Sequence, residues 1–463
     1  VPSDLRTFIA TLEHTHQLTR ISATTDPLLE IAAITCRICQ QQDGGPALLF
    51  ESPRGSRFPV ATNLLGSHQR VALASGTGDL NKLTIKIREL LRQLPNLQFE
   101  TLDQQLSQSP VFSSFARTPA TPAWDQTQPV SDLSLFPFLQ NWPGDGSANG
   151  FPRYITLGQC HTTAPDGSTP NCGVYRAQIC GKQQLAIRWN ATSGAARHLK
   201  QYRRNNLPMP VALALGGDPG LLLAAMMPLP GNLDEVTFAG FLQGAPQQFS
   251  PCATIPLSVP ASAELVIEGF VSPNQFFQEG PYGNHTGSYS PAGKAALMQI
   301  TRISHRPDAI IPATVVGPPP MEDCWMTGAW ERVLLAFLST MIPAIVDIHI
   351  PLAWSFHQSA IISLETPSSG MVRDISAQLW KLSWFSASRI LVFVAADETP
   401  LAKTDISWRC INLVDATDDM IFDATHTKIA LDATGRGRTT PRLIHDTATE
   451  AAVSGRWEEF SLA

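Results

Sequence analysis

The middle of this chain reads as antiparallel β-structure, and that restricts what the flanking segments can build. GVYRAQIC and QLAIRW alternate apolar and polar side chains on either side of Gly181-Lys182, the pattern of a β-hairpin. PVALALGGDPGLLLAAMMPLP reads as a strand, a glycine-rich turn, and a helix begun just after Asp218-Pro219. ELVIEGFV is a further strand, and QEGPYGNHTGSYS (278–290) follows it directly. Residues 154–306 are therefore expected to form a β-rich unit.

On both sides the period changes. SDLRTFIATLEH has a serine cap and an apolar stripe at helical spacing, while GPALLFESP and RFPVATNLL read as short strands bounded by Gly and Pro. Residues 119–152 are rich in Pro, Asp, Ser and Gly and read as a connecting segment. After Pro320 a long helix around AWERVLLAFLST precedes IVDIHI, SAIISL, the helix VRDISAQLWKLSWF and the strand RILVFVA. The expected fold is α/β and multi-domain: an N-terminal α/β domain over 1–118, a Pro-rich connection over 119–152, a central β-rich domain over 153–318, and a C-terminal α/β domain over 319–463.

With 463 residues there is material for a large core, and the net charge of -6 with no basic block argues against nucleic acid or an anionic membrane surface as partner. The longest apolar run, VLLAFLSTMIPAIV (333–346), ends at Asp347 and is too short to span a bilayer. VPSDLRTF lacks the basic and apolar regions of a signal peptide, so a cytoplasmic chain is expected. The eight cysteines are scattered, which suits free thiols. Cys36 and Cys39 form a lone CxxC, read as two small apolar residues on a helix rather than a redox dithiol.

Chemistry concentrates in a few places. Glu279 lies on a turn leaving a strand, where a carboxylate can be presented to a pocket and trade protons. Arg176, in NCGVYR, offers a guanidinium fork suited to a carboxylate. From the residues alone, a surface salt bridge is the favoured reading of each. Asn284 fits a turn because Asn tolerates turn geometry. GRGR (435–438) is read as a solvated basic turn.

Seven stretches, SDLRTFIATLEHTHQLTRI, GGPALLFESPRG, NCGVYRAQICGKQQLAIRW, VALALGGDP, VPASAELVIEG, EGPYGNHTG and KIALDAT, occur in an order that resembles the UbiD family of decarboxylases (3-polyprenyl-4-hydroxybenzoate carboxy-lyase-like) from end to end. The resemblance implies a central split β-barrel that binds flavin, and non-oxidative decarboxylation of an aromatic or α,β-unsaturated acid with prenylated FMN as electron sink. It places Arg176 and Glu279 on two members of the family's acid-arginine-acid trio, with Asn284 where the second acid stands. An amide does no general acid-base work, so attenuated activity is expected.

It assigns Arg188, Ala224, Ala225, Met227 and Lys428 to the cofactor, the Ala224–Met227 segment also to a K+ site. The divalent metal, Mn or Mg, falls to Asn171 and Glu235, with Thr192 where the family has His. His198, six residues on, is read as structural. A flavin prenyltransferase as cofactor supplier, and a homo-oligomer (dimer or hexamer) assembled through AAVSGRWEEFSLA, are likewise implied. The likeness is nearest to members acting on 4-hydroxybenzoate-type acids. The two departures leave open a non-catalytic subunit, or a protein that binds FMN or another phosphorylated ligand without maturing the cofactor.

Overall fold

The computed structural model describes residues 2–94, 97–124, 132–229, 233–354, 359–385, 388–396, 401–436 and 445–460. Gly437 and Arg438 of the GRGR turn, and the last three residues of the C-terminal segment, lie outside them. Three sheets organise the chain. At the front, Leu18–Ile21, Ala47–Phe50 and Val60–Thr62 form a small sheet that shares apolar clusters with the helices Leu5–His14 and Glu30–Cys39. The first helix is capped by Asp4 rather than Ser3. Its carboxylate accepts from Thr7 N at 2.7 Å, and the Thr7 side chain answers back in a capping box. The fourth strand of this sheet is Ile311–Pro312, which pairs in parallel with Val60 and Ala61 from far along the chain.

The central sheet has eight strands, all antiparallel to their neighbours: Tyr154–Ile155, Ala177–Gly181, Gln184–Ile187, Gly293–His305, Ala263–Glu279, Met209–Gly216, Gln159–Thr163 and Pro170–Val174. The hairpin read from GVYRAQIC and QLAIRW is present, with Gly181 opposite Gln184. Ala263–Glu279 and Gly293–His305 are long because each carries register shifts that let it curve around the apolar interior built by Leu185, Leu213, Leu265, Ile267, Met298 and Ile303. The helix Pro219–Met226 begins at the expected place, with Asp218 capping Gly220 N at 2.7 Å.

At the back, Ile345–His349, Ser359–Leu364, Ile390–Ala395, Ile429–Asp432 and Met420–Phe422 form a mixed sheet. The helix Glu322–Met341 links this sheet to the front, since Trp330, Val333, Leu334 and Phe337 share one apolar core with Leu83, Ile87 and Leu391. The architecture is thus multi-domain α/β, with a curved central barrel flanked by α/β layers. Among the described residues, no helix is long and apolar enough to cross a membrane. All eight cysteines are free thiols, and Cys39 is buried with its thiol pushed well above its ordinary value by burial, which does not suit a redox dithiol.

Candidate active site

Three strand ends of the central sheet deliver three charged side chains to one point. Glu279 is the last residue of Ala263–Glu279 and is fully buried. Arg176 sits between Pro170–Val174 and Ala177–Gly181, and Arg188 follows Gln184–Ile187. Arg176 grips the Glu279 carboxylate with two prongs, Nε to Oε1 at 2.8 Å and Nη2 to Oε2 at 3.2 Å. Arg188 Nη1 adds a third contact to Oε2 at 3.1 Å and a fourth to the Pro291 carbonyl at 3.0 Å. The Arg176 guanidinium lies 4.7 Å above the ring of Tyr282, which packs on Tyr154 at 4.7 Å. Burial works against the Arg176 charge, but the Glu279 contact outweighs it and holds the guanidinium above its ordinary value.

The turn after Glu279 is braced from the connecting segment. Gly280 has φ of +95°, a conformation that requires glycine, and its N–H donates to Gln178 Oε1 at 3.2 Å. Asn149 Nδ2 donates to the Gln278 carbonyl at 2.7 Å and to Gln178 Oε1 at 3.1 Å. Asp145 accepts from Gly283 N at 2.8 Å and Trp142 N at 2.9 Å, and burial raises its carboxyl above the usual range. Residues 141–151 therefore wrap the turn that carries the acid. None of Asn149, Gln178, Asp145 or Tyr282 was singled out from the sequence, because their partners lie far away along the chain.

Asn284 spends its amide within its own loop. Oδ1 accepts from Thr286 N at 2.9 Å and Thr286 Oγ1 at 2.6 Å, and Nδ2 donates to Ser290 Oγ at 2.7 Å. This is the turn role that Asn fills well. The next residue does something different. His285 Nε2 is engaged by the carboxylate of Asp323, which stands in the first turn of Glu322–Met341. No local pattern announces that pair.

A second group gathers beside the strand Pro170–Val174. Asn171 lies on that strand, and Glu235 opens the helix Glu235–Gln243. Glu235 Oε2 accepts from Cys172 N at 3.0 Å, and burial pushes its carboxyl up to about 8. Asn171 Nδ2 is buried with no partner, and Asn171 Oδ1 occupies the space where a side chain at Gly194 would go, 1.8 Å from such a Cβ. An amide oxygen and a carboxylate with its charge uncompensated are donors suited to a hard cation that keeps phosphate and water among its ligands. The two residues fit a divalent metal.

Thr192 is exposed in the turn before the helix Gly194–Arg204. His198, on that helix, is buried with Nδ1 on Thr162 Oγ1 at 2.9 Å, and burial lowers its pKa to about 4, a packing role. Among the described residues no group of three or more His, Cys, Asp and Glu side chains is gathered for a metal. Ala224, Ala225 and Met227 are buried at the end of Pro219–Met226, a helix that packs on Pro170–Val174 and Glu235–Gln243. Lys428 stands in the C-terminal sheet region, its ammonium donating to the Phe385 carbonyl at 3.2 Å.

Family models match the chain in order: the 3-octaprenyl-4-hydroxybenzoate carboxy-lyase N-terminal domain over residues 9–90, the Rift-related domain over 117–319 and the C-terminal domain over 324–447. An uncharacterized protein of Aquifex aeolicus is 32% identical over 461 residues, 99% of this chain and 94% of that one. The closed form of vanillic acid decarboxylase from Sedimentibacter hydroxybenzoicus superposes with a TM-score of 0.82 at 24% identity, covering 100% of both chains. An evolved dimeric form of the enzyme HmfF from Pelotomaculum thermopropionicum, in complex with prFMN, gives 0.81 at 23% identity, covering 97% of this chain and 98% of that one. With its three domains matched in sequence order and a relative aligned over nearly its whole length, the chain belongs to the UbiD family of carboxy-lyases.

Proposed function

We propose that this protein is a non-oxidative carboxy-lyase that acts on an aromatic or α,β-unsaturated carboxylic acid with prenylated FMN as cofactor. The observation that carries the reading is the buried Arg176–Glu279 pair, braced by Arg188 and by residues 141–151. When bound, a flavin of this kind supplies the electron sink for loss of CO2. The chain's own part is positional and electrostatic. Arg176, fixed between Glu279 and the face of Tyr282, would hold a substrate carboxylate. Glu279 keeps that guanidinium in place and exchanges protons with the substrate.

Asn171 and Glu235 would hold the metal of the cofactor phosphate, the Ala224–Met227 segment would line it, and Lys428 would meet it from the C-terminal domain. The division of the chain at 118, 152 and 318 belongs to the same reading, as do a 4-hydroxybenzoate-type substrate, a flavin prenyltransferase as supplier, a cytoplasmic site and a homo-oligomer. With Thr192 for the metal histidine and Asn284 for the second acid, activity is expected to be attenuated.

A second reading, a flavin- or phosphate-ligand-binding relative without turnover, is favoured by one observation: Thr192 is exposed in its turn and brings no imidazole to Asn171 and Glu235. Co-expression with a flavin prenyltransferase separates the two. Absorbance and the mass of the released ligand should report prenylated FMN. A protein that retains no flavin defeats the main reading, and one that retains only unmodified FMN supports the second.

A further inference from the structure

We propose that His285, held by Asp323, is the proton-handling group that takes the place of the acid missing at position 284. The proposal rests on the decarboxylase reading and assigns it a second acid-base residue.

Three observations carry it. Both oxygens of Glu279 already accept from guanidinium groups, so a proton arriving there displaces an ion-pair hydrogen bond. Asn284 has no proton to exchange and its amide is committed to Thr286 and Ser290. His285, the very next residue, has 29% of its side chain exposed, and Asp323 engages its ring from the first turn of Glu322–Met341. A carboxylate on Nε2–H sets the tautomer and leaves Nδ1 as the nitrogen that titrates, the arrangement that makes imidazole an efficient acid or base.

His285 follows Tyr282 by three residues in the turn that leaves Glu279. Asp323, Glu279, Asp145 and Arg176 all act electrostatically on the Tyr282 hydroxyl, and Tyr282 is the residue beneath the Arg176 guanidinium. Among the described residues, Cys324, whose Sγ lies 3.8 Å from Asp323 Oδ1, Glu322 beside it, and Cys39 also interact with Asp323. Burial disfavours a charged His285, yet the Asp323 contact prevails and raises the imidazole above its ordinary value. The Asp323 contact thus favours the protonated ring, the form that the step needs.

In that step the carbon–carboxylate bond breaks, CO2 leaves, and the electron pair stays with the substrate carbon. The imidazolium N–H bond breaks, a C–H bond forms, and the neutral imidazole regains a proton from water. Nothing is oxidised or reduced.

The test uses the protein loaded with cofactor by co-expression. His285→Gln, which keeps a donor for Asp323, should lower kcat about a hundredfold or more with flavin retention unchanged. It should also abolish the alkaline fall of the pH profile, and Asn284→Asp added to it should restore at least about tenfold. Asp323→Asn should move that alkaline fall to lower pH, and an NMR titration of His285 should move with it in the folded protein. A His285→Gln variant within twofold of wild type, with the same profile, overturns the proposal. So does a His285 titration that Asp323→Asn leaves unmoved. If loaded wild type releases no CO2 from any acid, the decarboxylase reading itself falls, a result distinct from either of these.

Discussion

Glu279 and Arg176 are joined by two hydrogen bonds, 2.8 Å and 3.2 Å long, made by residues 103 positions apart. The carboxylate is fully buried, and the guanidinium reaches it from the gap between two strands. This fork fixes the Arg176 guanidinium, the cation that the proposed function has a substrate acid dock against. The Arg188 contact makes the carboxylate a shared anchor for both cations.

Arg176→Lys replaces a planar fork by a point charge, so it should lower kcat/KM by at least about a hundredfold. Arg176→Ala leaves Glu279 with Arg188 alone, and the lost charged hydrogen bonds should cost about 2 kcal/mol of stability. Steady-state kinetics and denaturant melts report these separately.

Asn284→Asp should fold as well as wild type. The atoms facing Asn284 Oδ1 are donors, and the Ser290 hydroxyl can turn from accepting to donating. Stability should change by no more than about 0.5 kcal/mol. With His285 already in place, turnover should rise by less than about tenfold. A hundredfold rise measured under the same conditions would mean that the wild-type protein has no working second proton donor.

Asp218 caps the helix Pro219–Met226 while buried, and burial raises its carboxyl to about 7 from an ordinary 3.8. The folded state thus binds this proton more tightly than the unfolded chain. Its contribution is fully present below the unfolded value and is lost as pH rises through the folded one. Between about pH 4 and 7 the group should remove about 1.4 kcal/mol of stability per pH unit. Asp218→Asn keeps a cap and should flatten that part of a Tm-versus-pH curve, raising Tm at pH 8 and not at pH 4.

Thr192→His should increase manganese and flavin retained through a desalting column, because Thr192 sits at the turn leading into the helix that presses Gly194 on Asn171. Glu235→Gln should do the opposite, and metal content by mass spectrometry checks both.

Much of this arrangement was legible along the chain. Alternation in GVYRAQIC and QLAIRW gave the hairpin, Asp218-Pro219 gave the helix start, and the EGPYGNHTG turn gave Glu279 and the turn role of Asn284. The missed features are those set by distant partners. Ser3 and Asp4 are both chemically able to cap a helix, and only the backbone at Asp4 decides between them. Ile311–Pro312 joins the front sheet through a parallel pairing that no local period encodes. The brace of Asn149, Gln178 and Asp145, and the His285–Asp323 pair, depend on which loops meet in space.

The most direct test is release of labelled CO2 from a panel of carboxyl-labelled aromatic and α,β-unsaturated acids by the protein co-expressed with a flavin prenyltransferase. Glu279→Gln, prepared in the same way, serves as the reference. Release from at least one acid by wild type, reduced about a hundredfold or more in the variant, is the predicted result. Equal release by both proteins, or none by flavin-loaded wild type from any acid, would contradict the account.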